Sequence, residues 1–278
     1  MKPNDVVFSL GSYDPEMRSI RYMLGKTGFR SAIAMRFGRR CSSSNAYKAD
    51  ELSKIIRDDK QIVWVECRST SFKEGRDLIV DHHNVGDPGY DACPNDYWQG
   101  SSIGQVASLV GGKQHEFKNV AAGDHCLSAA MRGECRGIDP DELMSCRIDA
   151  RAAMAKLPAW RLRKRIEYAV QRIDTLPRLN FGGELIVDGS FDITPELRDA
   201  AAIVGLPIMT TRINPVGKVK VGLYGARTSV VIQWMDTMRA SGICDDLYGN
   251  PHREFAGAVF SEDASAQFQS GRRAYSKN

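Results

Sequence analysis

The sequence predicts an α/β chain of two parts: a mostly parallel-sheet N-terminal domain joined by a helical linker to a smaller α+β C-terminal domain. Three observations predict it. Short apolar runs alternate with helical stretches through the first half, the pattern of strands and helices laid on a parallel sheet. Carboxylates, namely Asp14, Glu66 and Asp81, fall just past three of those apolar runs, where open α/β sheets place their ligand sites. After Pro177 the character changes to closely spaced strands and fewer helices. The expected division is 1–150 for the first domain, 151–178 for the linker, 179–262 for the second domain and 263–278 for a flexible polar tail.

The elements follow in order. Val6–Leu10 reads as a short buried strand, and Gly11 to Pro15 as a turn. A helix follows from Pro15 or Glu16 to about Gly25, since proline suits a first helical turn. A second helix is expected from Ala46 to Asp58. Gln61–Glu66 and Asp77–Val80 are strand candidates that run into Glu66 and Asp81. Ser101–Val110 looks helical and apolar. Val120-Ala121-Ala122-Gly123 reads as part of a further element in which Asp124 and His125 follow small apolar residues. Asp139-Pro140-Asp141-Glu142 has the composition of a helix start, and a basic helical stretch from about Ala150 to Arg172 breaks at Pro158. In the second part, Glu184–Val187, Pro207–Ile213, Lys218–Leu223 and Phe255–Phe260 read as strands, with a turn at 214–217. Thr194-Pro195-Glu196 opens one helix and Thr228–Ala240 forms another.

Composition narrows the class. The chain has 278 residues, 42% hydrophobic and 26% charged, the balance of a soluble globular protein. No apolar run approaches the roughly 20 residues that span a bilayer. The N-terminus leads straight into Val6-Val7-Phe8 without a signal-peptide pattern, so a cytoplasmic location and no membrane partner are expected. Seven scattered cysteines include no C-x-x-C pair, which argues against zinc ribbons and thioredoxin-like chemistry. A net charge of +4 is too small to argue for nucleic acid by itself. The basic residues do cluster, at Arg36, Arg39 and Arg40 and at Arg161, Arg163, Lys164 and Arg165; a solvated helical face accounts for the second group.

The most informative stretch is Leu78-Ile79-Val80-Asp81-His82-His83-Asn84. One carboxylate and two imidazoles leave the end of a strand together and run into the turn-rich Val85 to Gly89. Adjacent imidazoles beside an acid are costly to bury without a purpose, which points to a metal-dependent site. Plainer readings compete at the other acids: Asp14 and Glu16 suit helix initiation, Glu66 can pair with Arg68 or Arg76, and Asp124 can cap or turn.

Asp81-His82-His83, with acids spaced around it, resembles the DHH phosphoesterase superfamily. The family's first motif, H-x-x-x-D-x-D, aligns with Leu10 to Glu16: Asp14 and Glu16 take the acid positions, while Leu10 stands where the histidine would be and cannot bind a metal. Glu66 fits the second motif, Asp81-His82-His83 the third and Asp124 the fourth. A distant G-G-G-H loop of the family's DHHA1 domain is matched by Gly249, His252 and Gly257. The resemblance spans about residues 5–260. It implies a metal-dependent phosphodiesterase of the oligoribonuclease or cyclic-dinucleotide type, with substrate held between the domains and hydrolysis by a metal-activated water. It implies Asp81, His82 and His83 as catalytic residues and Asp14, Glu16, Glu66, Asp81, His82 and Asp124 as metal ligands. Asp14, Asp81 and Asp124 would serve one ion, and Glu16, His82 and a shared Asp81 or Glu66 the other. His83, Arg227, Gly249, His252 and Arg253 would bind substrate. The donors suit one or two Mn2+ or Mg2+ ions. His125 is a candidate for the place Leu10 leaves empty. The partner would be a short oligonucleotide or a linear or cyclic dinucleotide, and the chain would pair as a homodimer. Hydrolysis of another small phosphate ester or anhydride, and a decayed site that binds nucleotide without turnover, are the alternatives. Tyr13, Tyr90, Tyr97 and Trp98 are open to base stacking or ordinary packing.

Overall fold

Strand β1 (Val6–Leu10) is buried along its whole length, as expected of an apolar strand covered on both faces. In the computed structural model, which describes residues 1–43, 45–54, 56, 59–214 and 216–275 (side chains to 271), the chain divides into two units. Unit 1 comprises Met1–His125 and Cys135–Lys156; unit 2 comprises Cys126–Glu134 and Leu157–Asn278.

Unit 1 begins with β1 and α1 (Pro15–Lys26). Asp14 is the N-cap of α1 and accepts from the Met17 N–H at 2.8 Å, with proline in the first turn. Met17, Ile20, Met23 and Leu24 form the buried face of α1, at the helical spacing that turns one stripe inward. Next come β2 (Arg30–Arg36), β3 (Arg39–Arg40), β4 (Glu51–Leu52), β5 (Gln61–Val65) and β6 (Leu78–Val80). The strand order is β3-β2-β1-β5-β6, with β4 also on β2. β2, β1, β5 and β6 run parallel, and β3 and β4 add antiparallel to β2. The chain leaves β1 toward β2 on one side and returns to β5 on the other, so the switch point lies between β1 and β5. α3 (Ser102–Val110) and α4 (Gln114–His125) pack with α1, and α2 (Tyr97–Gly100) packs on α3 and α4.

α5 (Leu127–Met131) belongs to unit 2, and α6 (Pro140–Ala155), capped by Asp139, packs on α4 in unit 1. Unit 2 continues with α7 (Ala159–Ile173), β7 (Arg178–Phe181), β8 (Glu184–Gly189), α8 (Leu197–Ile203), β9 (Ile208–Ile213), β10 (Val219–Tyr224), α9 (Thr228–Ser241), β11 (Cys244–Asn250), β12 (Phe255–Phe260) and α10 (Glu262–Tyr275). Its sheet runs β11-β12-β10-β9-β8-β7. β8 and β9 pair in parallel around the α8 crossover, and the other described pairs are antiparallel. Ile186, Val219, Val221, Leu223, Ala256 and Ala258 form one core with Val230, Val231 and Trp234 of α9. Val187 and Ile208 form another with α7 and α8.

Several elements differ from the sequence expectation. Ala46–Lys48 is a single 3-10 turn and Glu51–Leu52 is strand β4, where one helix to Asp58 is expected; Asp58 itself lies outside the described residues. Asn45 and the edge of β2 capture this segment: Ala34 and Met35 pair with Leu52 and Glu51. Residues 262–275 form α10 in place of a flexible tail, because Phe268 stacks on Phe191 and the Ser265 hydroxyl accepts the Val219 N–H. α8 opens at Leu197 with Glu196 as its N-cap residue, not at Thr194. The segment 151–178 is divided, with residues through Lys156 in unit 1 and those from Leu157 in unit 2. Among the described residues, no helix is long and apolar enough to cross a membrane.

Candidate metal centre

The sheet of unit 1 extends one residue past its strands. The Gly11 N–H donates to Val65 O and the Glu66 N–H to Val80 O, both at 3.0 Å. Gly11, Glu66 and Asp81 therefore line up at the carboxyl rim, on both sides of the switch point. Glu66 has φ 49°, a left-handed conformation that costs a side chain with a Cβ about 1–2 kcal/mol. Such strain persists where the surroundings enforce it, commonly at functional sites. Gly11 is part of the enforcement: a Cβ there would stand 2.4 Å from the Glu66 carbonyl oxygen. The Gly11→Ala variant is expected to push the Glu66 backbone away and to weaken divalent-cation binding at least about tenfold, the scale of an outer-shell lesion; titration calorimetry on the purified chain checks it.

Four elements deliver one donor group. Glu16 comes from the first turn of α1, Glu66 from the end of β5, His82 from the residue pair after β6 and Asp124 from the last turn of α4. Donor atoms of these four all lie within 4.8 Å of one another. His82 Nε2 is 3.4 Å from Glu66 Oε1 and 3.3 Å from Asp124 Oδ2. Glu66, His82 and His83 form an overlapping group. Glu16, Glu66 and His82 are buried, and Asp124 and His83 are about a third exposed, so the centre has one open side.

Its electrostatics are unbalanced. Glu16 Oε1 accepts the Ile103 N–H at 2.9 Å, but the buried Glu16 Oε2 and Glu66 Oε1 receive no hydrogen bond. Burial, then the Asp124 and Glu66 charges, push Glu16 well above the usual carboxylate range. Burial likewise pushes Glu66 up to about 7, with Asp124, Asp14 and Asp81 adding to it against His83. Asp14 is pushed up to about 6 by burial and then Asp124. Acceptors buried without donors are expensive, and a cation relieves several of them at once. Three carboxylates and one imidazole form a hard, oxygen-rich set that fits Mn2+ or Mg2+.

A second layer holds the first. Asp81 Oδ1 accepts from the His82 N–H at 2.7 Å, the His83 N–H at 3.1 Å and His83 Nδ1 at 2.9 Å, and Oδ2 accepts from the Tyr47 hydroxyl at 2.9 Å. Burial opposes the Asp81 charge, yet these donors together hold its carboxyl below the usual range. With Nδ1–H committed to Asp81, His83 carries its lone pair on Nε2. His82 Nδ1 lies 3.0 Å from His125 Nδ1, and His125 Nε2 lies 3.1 Å from Ala92 O. Gln105 Nε2 donates to Asp81 O at 3.0 Å and Gly100 O at 2.9 Å. Beside Glu66, the buried Cys67 thiol lies 3.4 Å from the Ser9 hydroxyl, and burial pushes it up to about 12.

The structure regroups the expected ligands. Asp124 lies with Glu16, Glu66 and His82, and its charge also raises the Asp14 carboxyl. It stands on a helix, not at a strand end, because Gln114–His125 continues as α4 through its small residues. Asp81 is committed to His83 and Tyr47. Asp14 caps α1 and is also bonded by the Ser12 hydroxyl at 3.2 Å. Leu10 is buried in the core. His125 faces the Nδ1 side of His82 with its own Nδ1 and Ala92 O with Nε2, so it supplies no donor atom to the group. Tyr47 and Gln105 are second-layer residues that the sequence gives no periodic signal for.

The remaining expected residues lie in unit 2. Arg227 precedes α9 and is tied to Glu184, whose Oε2 accepts the Arg227 N–H at 3.0 Å. Asn250 Oδ1 accepts the His252 N–H at 3.0 Å, and His252 and Arg253 share the turn Pro251–Arg253. The Thr228 hydroxyl donates to Pro251 O at 3.2 Å, so Arg227 and the 251–253 turn are neighbours. Gly249 has a packing reason for lacking a side chain: a Cβ would meet Ala256 Cα and Phe255 O at 2.7 Å. In unit 1, Tyr13 stacks under the Arg40 guanidinium at 4.4 Å, and Tyr97 is buried.

No protein-family model and no curated protein matches the chain. Among solved structures, it is similar to a DHH-domain protein described as a member of a family of ribosomal proteins, at 9% identity and TM-score 0.43, covering 97% of this chain and 86% of that one. It is also similar to the exonuclease RecJ bound to manganese, at 11% identity and TM-score 0.37, covering 98% and 90%. Similarity at these scores carries no weight for function.

Proposed function

We propose that the chain is a metal-dependent phosphoesterase that cleaves a phosphodiester in a short oligonucleotide or a linear or cyclic dinucleotide, with Glu16, Glu66, His82 and Asp124 holding one divalent cation. The observation that carries this reading is the four-residue donor group itself, in which the buried Glu16 Oε2 and Glu66 Oε1 accept from no backbone or hydroxyl donor. The Asp81-His82-His83 word and the spaced acids that resemble DHH phosphoesterases support the phosphoester class. Leu10 in the core and Asp14 on its helix cap favour one ion over two.

Glu16, Glu66, His82 and Asp124 would hold the divalent cation, which would supply an acidified water and charge stabilisation at the phosphoryl oxygens. The chain's own residues supply the rest. His83 sits at the open side with Nδ1–H fixed by Asp81, so its Nε2 end is presented in a constant orientation to the substrate phosphate. When protonated there, it hydrogen-bonds a phosphoryl oxygen or passes a proton to the leaving oxygen. Asp81 positions His83 and stabilises its positive charge, and Tyr47 keeps Asp81 in place. In unit 2, Arg227, His252 and Arg253 supply cationic or donor groups for a terminal phosphate, with arginine suited to bidentate contact.

The test is Mn2+-dependent hydrolysis of dinucleotides, short RNA and DNA oligomers, cyclic dinucleotides, pyrophosphate and nucleoside bisphosphates. Chelation is expected to abolish turnover. His83→Ala is expected to lower kcat by about 10²-fold or more, the usual contribution of a general acid, with cation affinity nearly unchanged. Retained ligand binding without turnover of any member would overturn the enzyme reading and leave a nucleotide-binding protein.

A further inference from the structure

We infer that His125 is a positioning residue that fixes the tautomer of His82 and thereby presents a lone pair, rather than an N–H, to the proposed cation. This rests on the proposed centre for its consequence, but not for its geometry. His125 is the last residue of α4 and is buried. Its Nε2 lies 3.1 Å from the Ala92 carbonyl oxygen. A carbonyl only accepts, so His125 Nε2 carries a proton. In the neutral ring Nδ1 is then bare and acts as an acceptor. The atom facing it at 3.0 Å is His82 Nδ1, which must therefore be N–H.

The consequence falls on the far side of His82. With Nδ1 protonated, Nε2 is left to take a cation or a second proton, and Nε2 is the atom facing Glu66 and Asp124 at 3.4 and 3.3 Å. The reverse assignment would place two protons on His125 and a positive charge on a fully buried ring, at a high desolvation cost. A neutral His125 confines positive charge to the side of His82 where the carboxylates are. Metal-ligating histidines commonly have their second nitrogen fixed by such a partner, usually a carboxylate or carbonyl. Here a second imidazole does it, and a carbonyl fixes that imidazole in turn.

The pocket around His125 is shaped for this. A Cβ at Gly100 would lie 2.6 Å from His125 Cε1, 2.9 Å from its Nε2 and 2.4 Å from Ala92 Cβ. Gly100 itself is tied through its carbonyl to Gln105, which also holds the Asp81 carbonyl. A glycine at position 100 thus leaves the imidazole the space to reach Ala92 O. Asp124, the residue before His125, is one of the four donors, so the end of α4 delivers a ligand and the orienter of another ligand from consecutive positions.

The experiment is long-range proton–nitrogen NMR on the full chain with labelled histidine, in chelator and then with Mg2+, paired with Mn2+ titration calorimetry. His82 is expected to show a protonated Nδ1 in both conditions. His125→Leu removes the acceptor and is expected to weaken Mn2+ binding about 10–100-fold, the usual scale for an outer-shell partner. His125→Asn, whose Oδ1 can take the place of the ring Nδ1, is expected to recover most of that affinity. Gly100→Ala is expected to resemble His125→Leu while leaving every donor in place. Melting curves in chelator show that each variant is folded. A bare Nδ1 on His82 in the unaltered chain, or unchanged Mn2+ affinity in folded His125→Leu, would overturn the inference. Failure of the unaltered chain to bind any cation would instead sink the proposed centre, and the NMR tautomer in chelator still decides the role of His125 on its own.

Discussion

Glu66→Gln is expected to produce opposite changes in activity and stability. Mn2+ binding should weaken beyond about 100-fold and hydrolysis should fall below detection, because a carboxylate at the centre of the donor group is lost. In chelator, the same variant should melt higher than the unaltered chain. Glu16, Glu66 and Asp124 are held together in the cation-free protein beside only His82 and His83, their charges raise the Glu16 carboxyl, and a buried like-charge group lowers stability. Above about pH 7, where Glu66 is ionised, an amide removes one of those charges and offers N–H donors to the Glu16 and Asp124 carboxylates. A gain of about 1–2 kcal/mol would raise the melting temperature of unit 1 by a few degrees. Differential scanning calorimetry with chelator, beside titration calorimetry with Mn2+, reads both. A variant that melts lower in chelator would mean that Glu66 is a structural residue stabilised by its surroundings.

The cation-free protein is also expected to lose stability as pH rises from about 4 to about 7. Glu66 is raised from 4.5 to about 7 and Asp14 from 3.8 to about 6 in the folded state; Glu16 is raised as well. Across that interval the folded chain holds protons that the unfolded chain has released. Stability is therefore full below the unfolded pKa values and declines as pH climbs through the folded ones. A tenfold difference in proton affinity between the two states corresponds to about 1.4 kcal/mol, so the loss over the window is on the order of a few kcal/mol. Cation binding must displace the same protons, so Mn2+ affinity should strengthen over this window. A saturating cation, at about a hundred times its dissociation constant, should add about 2.7 kcal/mol and flatten the dependence. Denaturant unfolding at a series of pH values, with chelator and with Mn2+, measures both. A chelator curve that rises toward pH 7 would contradict the repulsive carboxyl cluster.

Much of unit 1 was legible because apolar strand runs end in chemistry-bearing residues. Val6–Leu10, Gln61–Val65 and Leu78–Val80 are strands with mostly buried residues, and composition alone marks them. Asp14-Pro15 is a cap followed by a first-turn proline, and α1 starts there. β2 escaped because arginines bracket its small apolar residues and hide the alternation. Ala46–Asp58 has helical composition, but backbone pairing of residues 51 and 52 to β2 overrides it. The segment after Ser261 is polar throughout, yet one aromatic, Phe268, is enough to anchor its helix against Phe191 and Phe260. At the site, the resemblance already groups Glu16 and His82 with Asp81 or Glu66, but the place of Asp124 beside them is not legible. Asp124 parts from Asp81 because a helix, not a strand, delivers it. The facing of His82 and His125, 43 positions apart, is a tertiary fact with no local signature.

The Cys67 thiol, one position beyond Glu66, has a bearing on how this protein meets the transition metals of a cell. A thiolate so near the carboxylates would be a soft ligand, attracting copper or zinc and competing with harder ions. Burial raises it to about 12, so a soft ion must displace a tightly held proton before the sulfur can bind it, which weakens the attraction. The harder donors are then left to choose among ions. For oxygen-rich groups that choice follows ion supply as much as intrinsic affinity, so the identity of the bound ion should track the manganese and magnesium content of the growth medium.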